Sequence, residues 1–452
     1  MNDKKKKIII IGNGIAGITC ARNIRKKDEN SEILVISGET EFFFSRTALM
    51  YIYMGHMQFE HTKPYEDWFW EKNNIQLLQA WVELVDFNNK TLLLDSGKKV
   101  GYDVLVLATG SVPNKFDWPG QSLNGVQGLY SKQDLDIMEE NTVGISHAVI
   151  VGGGLIGIEM AEMLASRDIS VTFLVREKNF WDNVLPVEEA QLVNKHILEH
   201  HIDLRLETEL KEIYGDDSGK VDSVLTNKGE KIECQFVGLA VGVSPNVKFL
   251  KNSDLEIGRG ILVDGFFRTN IQDVYAIGDC AEFREKPGDD RKNIEQVWYT
   301  GRMHGETLAH NLTSDNAVPY RPGIWFNSAK FFDIEYQTYG LVPNERKEGI
   351  DSFYWESESG KNCLRLVFEK ESEKILGVNS FGWRLRHEFF DQAIQEGWSL
   401  EKVLQNLHKA DFNAEFFDKF YKKVLEKYAS VSGKKIEIPK RSFFHRLIGS
   451  RA

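Results

Sequence analysis

Four β-branched residues in a row, Ile8 to Ile11, form the first patterned segment and run straight into Gly12, Gly14 and Gly17. The absence of polar alternation predicts a strand buried on both faces, as in a parallel sheet. Past the glycines, Ile18, Ala21 and Ile24 recur on one helical face, so a helix is expected from about Ile15, followed by a second strand at Ile33 to Ile36. The same succession of apolar strand, glycine turn and amphipathic helix returns around Ala148 in HAVIVGGGLIGIEMAEMLA, with Gly152, Gly154 and Gly157 in the corresponding places. Shorter apolar runs predict strands at Ile75 to Leu78, Thr91 to Leu94, Val104 to Leu107 and Val171 to Val175. Thr269 to Asp279 reads as a short strand delivering Gly278 and Asp279 to a turn, Tyr214 to Cys234 as a hairpin, and Ile294 to Asn311 as a helix. From Pro319 the pattern changes to aromatic-rich strands and then, from about Arg384, to helices, which predicts an α+β third domain.

The glycine turns carry the first chemistry. In a strand–turn–helix context the first glycine permits the tight turn, the second lets a pyrophosphate approach the backbone, and the third lets the helix pack close to the strand. The helix N-terminus then offers its amides and positive dipole end to the phosphates. Gly12, Gly14 and Gly17 with Ala16, and Gly152, Gly154 and Gly157 with Ile156, are therefore expected at two dinucleotide sites. About twenty residues beyond each turn an acidic side chain is expected at the ribose. Glu39 and Ser37 compete for that place after the first turn; Arg176 and Glu177 follow the second. Arg176 would favour NADPH by pairing with a 2′-phosphate, and Glu177 would favour NADH by accepting from both ribose hydroxyls.

Composition narrows the class. A chain of 452 residues with 42% hydrophobic content has material for two or three domains. A net charge of -11 opposes general affinity for nucleic acid. No run approaches the roughly eighteen apolar residues of a membrane span, and the opening apolar run reads as a strand, so a cytoplasmic protein is expected. Cys20, Cys234, Cys280 and Cys363 lie far apart, which suggests neither a disulfide framework nor a zinc site, and no metal is expected.

Two glycine fingerprints, the ATG of Ala108 to Gly110 and the AIGD of Ala276 to Asp279, in this order, resemble the flavin-dependent pyridine-nucleotide reductases over residues 7 to 312. The resemblance implies two Rossmann-type domains, one for FAD at 1–119 and 243–317 with an NAD(P) domain at 120–242 inserted into it. A C-terminal α+β domain at 318–430 and a basic tail at 431–452 would complete the chain. Thr109, Gly110, Gly242 and Gly278 would line the cofactors, and Asp279 would accept hydrogen bonds from the flavin ribityl hydroxyls. IEQVWYTGRMHGE (Ile294 to Glu306) and PGIWFNSAKFFDIEYQTYGLVP (Pro322 to Pro343) look like apoptosis-inducing factor and the related ferredoxin and rubredoxin reductases. On that likeness Glu295 and Gln296 approach the flavin ring from a helix start, Phe326 or Trp325 packs near it, Arg46 contacts the cofactor, and Glu159 lies near nicotinamide and flavin as the one catalytic residue. Its REKNFWDNVLP stretch is similar to an E-K-G-N segment that aligns Glu177 with the ribose, which favours NADH.

Residue 47 sets the reaction class. Where related coenzyme A disulfide reductases and NADH oxidases carry a redox cysteine, this chain has Thr47, whose hydroxyl forms neither a sulfenate nor a mixed disulfide. Tyr51 stands where the ferredoxin-reductase group has a lysine. The expected activity is an FAD-dependent NAD(P)H oxidoreductase that passes electrons to a separate acceptor such as a small iron–sulfur protein. Two alternatives stand beside it. The basic tail, Lys434, Lys435, Lys440, Arg441, Arg446 and Arg451, with its apolar Phe443, Phe444, Leu447 and Ile448, suggests a peripheral NADH:quinone dehydrogenase. The likeness to apoptosis-inducing factor suggests a redox-switched binding protein, and a homodimer through the third domain is a family-level expectation.

Overall fold

The computed structural model describes residues 5–288, 291–413 and 418–438. The tail residues Lys440, Arg441, Phe443, Phe444, Arg446, Leu447, Ile448 and Arg451 lie outside the described residues. Among the described residues no helix is long and apolar enough to cross a membrane. The chain divides into two compact units, residues 1–178 with 201–322, and residues 179–200 with 323–452.

The first unit contains two all-parallel five-stranded sheets. In one, Lys7–Ile11 lies between Glu32–Ser37 and Val104–Leu107; Ile75–Gln79 and Val274–Ala276 complete the edges. Ile9 and Ile10 are fully buried, as a central strand covered on both faces requires, each contributing about 1.5–3 kcal/mol of burial. Val274–Ala276 joins this sheet from beyond the second fold, so the first Rossmann unit is interrupted in sequence and closed in space. In the other sheet, His147–Val151 lies between Ser170–Leu174 and Phe236–Leu239, flanked by Asp203–Arg205 and Val126–Gln127. The predicted hairpin is a three-stranded antiparallel sheet, Leu210–Gly215, Val221–Thr226 and Lys231–Glu233. Chain passes between the two sheets through the antiparallel pair Ser111–Pro113 and Val243–Pro245.

The second unit is built on a five-stranded antiparallel sheet ordered Phe326–Phe331, Ile334–Gly340, Ile375–Phe381, Cys363–Glu369, Ile350–Glu356. Helices His387–Gln395, Leu400–Ala410 and Phe420–Ser432 share its core, in which Leu364, Leu366, Val378, Trp383 and Phe390 are buried. The α+β expectation for this region matches. Helix Val187–Glu199 groups with this unit although its sequence lies inside 120–242. A buried ion pair explains the attachment: Arg365 Nε and Nη2 donate to both oxygens of Glu189 at 2.6 and 2.8 Å, Nη2 also to Glu188 at 2.7 Å, and Nη1 to Ser352 Oγ at 2.8 Å.

Candidate functional site: two nucleotide turns and a recessed carboxylate

The two glycine turns are built alike. Gly12 has φ +109° and Gly152 φ +113°, and a Cβ at either would lie 2.1 Å from Ala108 O or 2.4 Å from Ala240 O. Gly17 and Gly157 sit against the carbonyls of Gly12 and Gly152, where a Cβ would come within 2.1 and 2.3 Å. Gly14 and Gly154 differ: nothing lies within 4 Å of the position a Cβ would take. Each of these open glycines is the N-cap residue of an eleven-residue helix, Ile15–Arg25 or Leu155–Ala165, and neither helix has a side-chain cap. Uncapped helical amides beside open backbone suit an anionic diphosphate, so both turns fit the group that the sequence assigned to them. Ala16 packs against the first turn's partner, since a Cβ on Gly278 would lie 2.9 Å from that of Ala16. Ile156 lies in the first turn of the second helix.

Helix Trp298–Thr313 packs closely on the first Rossmann helix through Gly301 and Gly305; a Cβ on Gly305 would lie 2.5 Å from Ala16 O. That close approach holds Gly278, whose N–H donates to His304 Nδ1 at 3.1 Å, and the adjacent Asp279. Asp279 Oδ2 accepts from Ser111 Oγ at 3.0 Å, and Ser111 Oγ accepts from Gln296 Nε2 at 2.8 Å. Burial pushes the Asp279 carboxyl up to about 6, against the lowering effects of the Ser111 hydroxyl and the Arg46 charge. Its remaining acceptor capacity fits a polyhydroxyl chain such as ribityl. Thr109 and Gly110 lie alongside: Thr109 Oγ1 donates to Asn246 O at 2.8 Å and Asn246 N to Gly110 O at 2.9 Å. Ser111, Tyr130 and Asn246 had no motif to reveal them; Ser111 was signalled only by following the ATG. Ser111 N donates to Tyr130 Oη at 3.1 Å, which seats the start of the crossover strand.

Glu39 and Arg46 face each other. Arg46 makes a fork to both Glu39 oxygens, 2.8 and 2.6 Å, and donates to Tyr130 O at 2.6 Å with its guanidinium 4.4 Å above the Tyr130 ring. Lys132 N donates to Glu39 Oε1 at 2.8 Å. Ser37 ends its strand, buried, two residues before Glu39, so both ribose candidates lie at the C-terminal end of an interior strand of the first sheet. Glu295 is turned into a buried cluster: Tyr320 Oη donates to it at 2.9 Å, Arg291 Nε lies 3.3 Å away and His304 Nε2 3.5 Å away. Gln296 instead reaches the Asp279 group. Phe326 belongs to the second unit, in the strand Phe326–Phe331.

On the other nucleotide side, Arg176 Nε donates to Glu177 Oε1 at 2.7 Å, so the two side chains that would choose between NADPH and NADH pair with each other. Glu159 is half-buried on the helix that follows Gly154, and Gly242, φ +87°, accepts from Asn114 N at 3.0 Å in the crossover. Thr47 is exposed in the short helix Arg46–Ala48, its hydroxyl 3.2 Å from Ser45 Oγ. All four cysteines are buried, and burial pushes every thiol up, Cys234 to about 12. Buried, neutral thiols are poor nucleophiles, so no cysteine stands in for the one replaced by Thr47.

Comparison with known proteins agrees with this geometry. The chain is 32% identical over 408 residues to a nitrite reductase [NAD(P)H] of Bacillus subtilis (strain 168), covering 89% of this chain and 49% of that protein. It thus spans about half the length of that relative. It is 28% identical to a ferredoxin–NAD(P)(+) reductase of a Sphingomonas species, over 83% of this chain and 89% of the other. Among solved structures, an NAD-dependent persulfide reductase from A. fulgidus superimposes with a TM-score of 0.80 at 26% identity, covering 94% of this chain and 84% of that one. The signature of pyridine nucleotide-disulphide oxidoreductases matches residues 6–305, and the chain belongs to that family of FAD- and NAD(P)H-dependent flavoprotein oxidoreductases.

Proposed function

We propose that the chain transfers electrons from NAD(P)H through FAD to a separate redox protein, without a cysteine relay. The observation that carries this reading is the pairing of two open glycine turns, at Gly14 and Gly154, with a recessed acceptor at Asp279 and an exposed Thr47 in the cysteine's place. FAD, when bound, would supply the two-electron redox chemistry.

The chain's own residues bind and align. The helix beginning at Ile15 and Gly14 would hold the FAD pyrophosphate, the Asp279–Ser111–Gln296 group would hold the ribityl chain, and Glu39 or Ser37 would hold the adenosine ribose. The helix beginning at Leu155 and Gly154 would hold the NAD(P)H pyrophosphate, and Glu159, on that helix, would serve the nicotinamide. Glu177 favours NADH once its pairing with Arg176 opens, because its carboxylate accepts from two ribose hydroxyls and repels a 2′-phosphate.

The relatives named as ferredoxin and rubredoxin reductases motivate a small iron–sulfur protein as the acceptor. The test is anaerobic reduction of the FAD-loaded chain with NADH and NADPH in turn, followed by reoxidation with a panel of ferredoxins, rubredoxins and a quinone. Rapid reoxidation by an iron–sulfur protein is expected. A chain that binds no flavin, or that neither nucleotide bleaches, overturns the proposal.

A further inference from the structure

One side-chain cluster is independent of the nucleotide turns and lies wholly within the second unit. Helix Val187–Glu199 carries His196 in its last turn and His200 as its C-cap residue, four positions apart and therefore on one face. The turn between strands Phe326–Phe331 and Ile334–Gly340 brings Asp333 to that face. Asp333 Oδ1 lies 2.6 Å from His196 Nε2 and 3.5 Å from His200 Nε2, and the three candidate donor atoms lie within 4.8 Å of one another.

The two imidazoles converge on one carboxylate, an arrangement that a proton or a metal ion can complete. His200 Nδ1 donates to His196 O at 2.9 Å, which places a proton on Nδ1 and turns Nε2 to Asp333. In the neutral ring Nε2 carries the lone pair, so either a proton or a metal ion must stand between it and the Asp333 carboxylate. His196 is 2% exposed; its Nε2 lies 2.6 Å from Asp333 Oδ1 and its Nδ1 3.8 Å from Glu199 Oε2, and neither nitrogen makes a hydrogen bond. Unsatisfied buried imidazole nitrogens are costly. The Phe332 ring stacks on His200 at 4.2 Å and meets His196 edge-on at 6.0 Å, which fixes both rings. Lys361 Nζ, 3.3 Å from Asp333 Oδ2, holds the outer carboxylate oxygen and leaves Oδ1 for the imidazoles.

We propose that His196 Nε2, His200 Nε2 and Asp333 Oδ1 form a site for a divalent first-row transition ion, with Zn2+ as the ion this donor set suits. Two imidazoles and one carboxylate with a fourth position for water is an established zinc arrangement. Bonds of about 2.0–2.1 Å in a tetrahedron separate neighbouring donors by roughly 3.3 Å. The 3.5 Å pair already meets this, and the 2.6 Å pair opens by a small movement of Asp333, which is 57% exposed at the turn. The ion would clip the helix to the strand turn.

The test uses the tag-free, FAD-loaded full chain, stripped with a chelator and titrated with Zn2+ against a chromophoric competitor. One equivalent of Zn2+ per chain is expected, weakened at least about tenfold by His200→Gln and by Asp333→Asn. Co2+ should give the visible bands of a tetrahedral site in the parent chain and lose them in both variants. Substoichiometric Zn2+ binding, or equal affinity in parent and Asp333→Asn, overturns the site. The exposed position of Asp333 keeps that variant decisive if His200→Gln fails to fold.

Discussion

Gly12 and Gly14 are two residues apart and do opposite work. A Cβ at Gly12 would meet Ala108 O at 2.1 Å on a backbone with φ +109°, whereas one at Gly14 meets nothing within 4 Å. Gly12→Ala should therefore lower the melting temperature, through a cost of about 1–3 kcal/mol or more from strain and overpacking. Gly14→Ala should melt like the parent, yet bind FAD at least about tenfold more weakly, a loss of roughly 1.4 kcal/mol, because the methyl group occupies the pyrophosphate's approach. Calorimetric melting of the FAD-free chains together with flavin titration separates the two. Asp279 adds a pH signature. Its carboxyl titrates near 6 in the folded chain, above the ordinary 3.8, because burial disfavours the charge. The folded state thus holds more protons than the unfolded one between these values, and the FAD-free chain gains stability as pH falls through that window. FAD affinity should move the other way, since ribityl hydroxyls donate to the carboxylate: it falls as pH drops below about 6. Asp279→Asn should remove that dependence and weaken FAD binding about tenfold or more.

At the scale of elements, helix Val187–Glu199 rests on one buried guanidinium. Arg365 is held by Glu189 on two sides, and Glu189 is fully buried, with its carboxyl raised by that burial against the lowering effect of Arg365. Removing one partner strands the other charge, so Arg365→Ala should cost about 3–5 kcal/mol in unfolding free energy. A loss under about 1 kcal/mol by denaturant titration, the range of exposed pairs, would contradict this account. The same helix shows where sequence reading stops. The strands Lys7–Ile11, Val104–Leu107 and His147–Val151 were legible because burial on both faces leaves unbroken apolar runs, and the glycine turns because backbone geometry dictates the residue. The attachment of Val187–Glu199 to the second unit was not, because the Glu189–Arg365 pair spans a sequence separation of 176. Glu295 likewise sits next to Gln296 in sequence but turns to Arg291, His304 and Tyr320, and Glu39 turns to Arg46; partners so placed leave no periodic trace.

At the scale of the whole molecule, two nucleotide folds and a displaced cysteine determine how many electrons the chain can store. FAD accepts two electrons, and a redox-active disulfide accepts two more. Every cysteine is buried and Thr47 is exposed, so under the proposed function a bound flavin would take two electrons with no cysteine pair to take two more. The decisive measurement is an anaerobic reductive titration of the FAD-loaded chain, first with dithionite and then with NADH, followed at the flavin absorption band. The account predicts complete bleaching at one two-electron equivalent per flavin with either reductant. Uptake of two such equivalents, or a flavin that NADH and NADPH both leave oxidised, would contradict it.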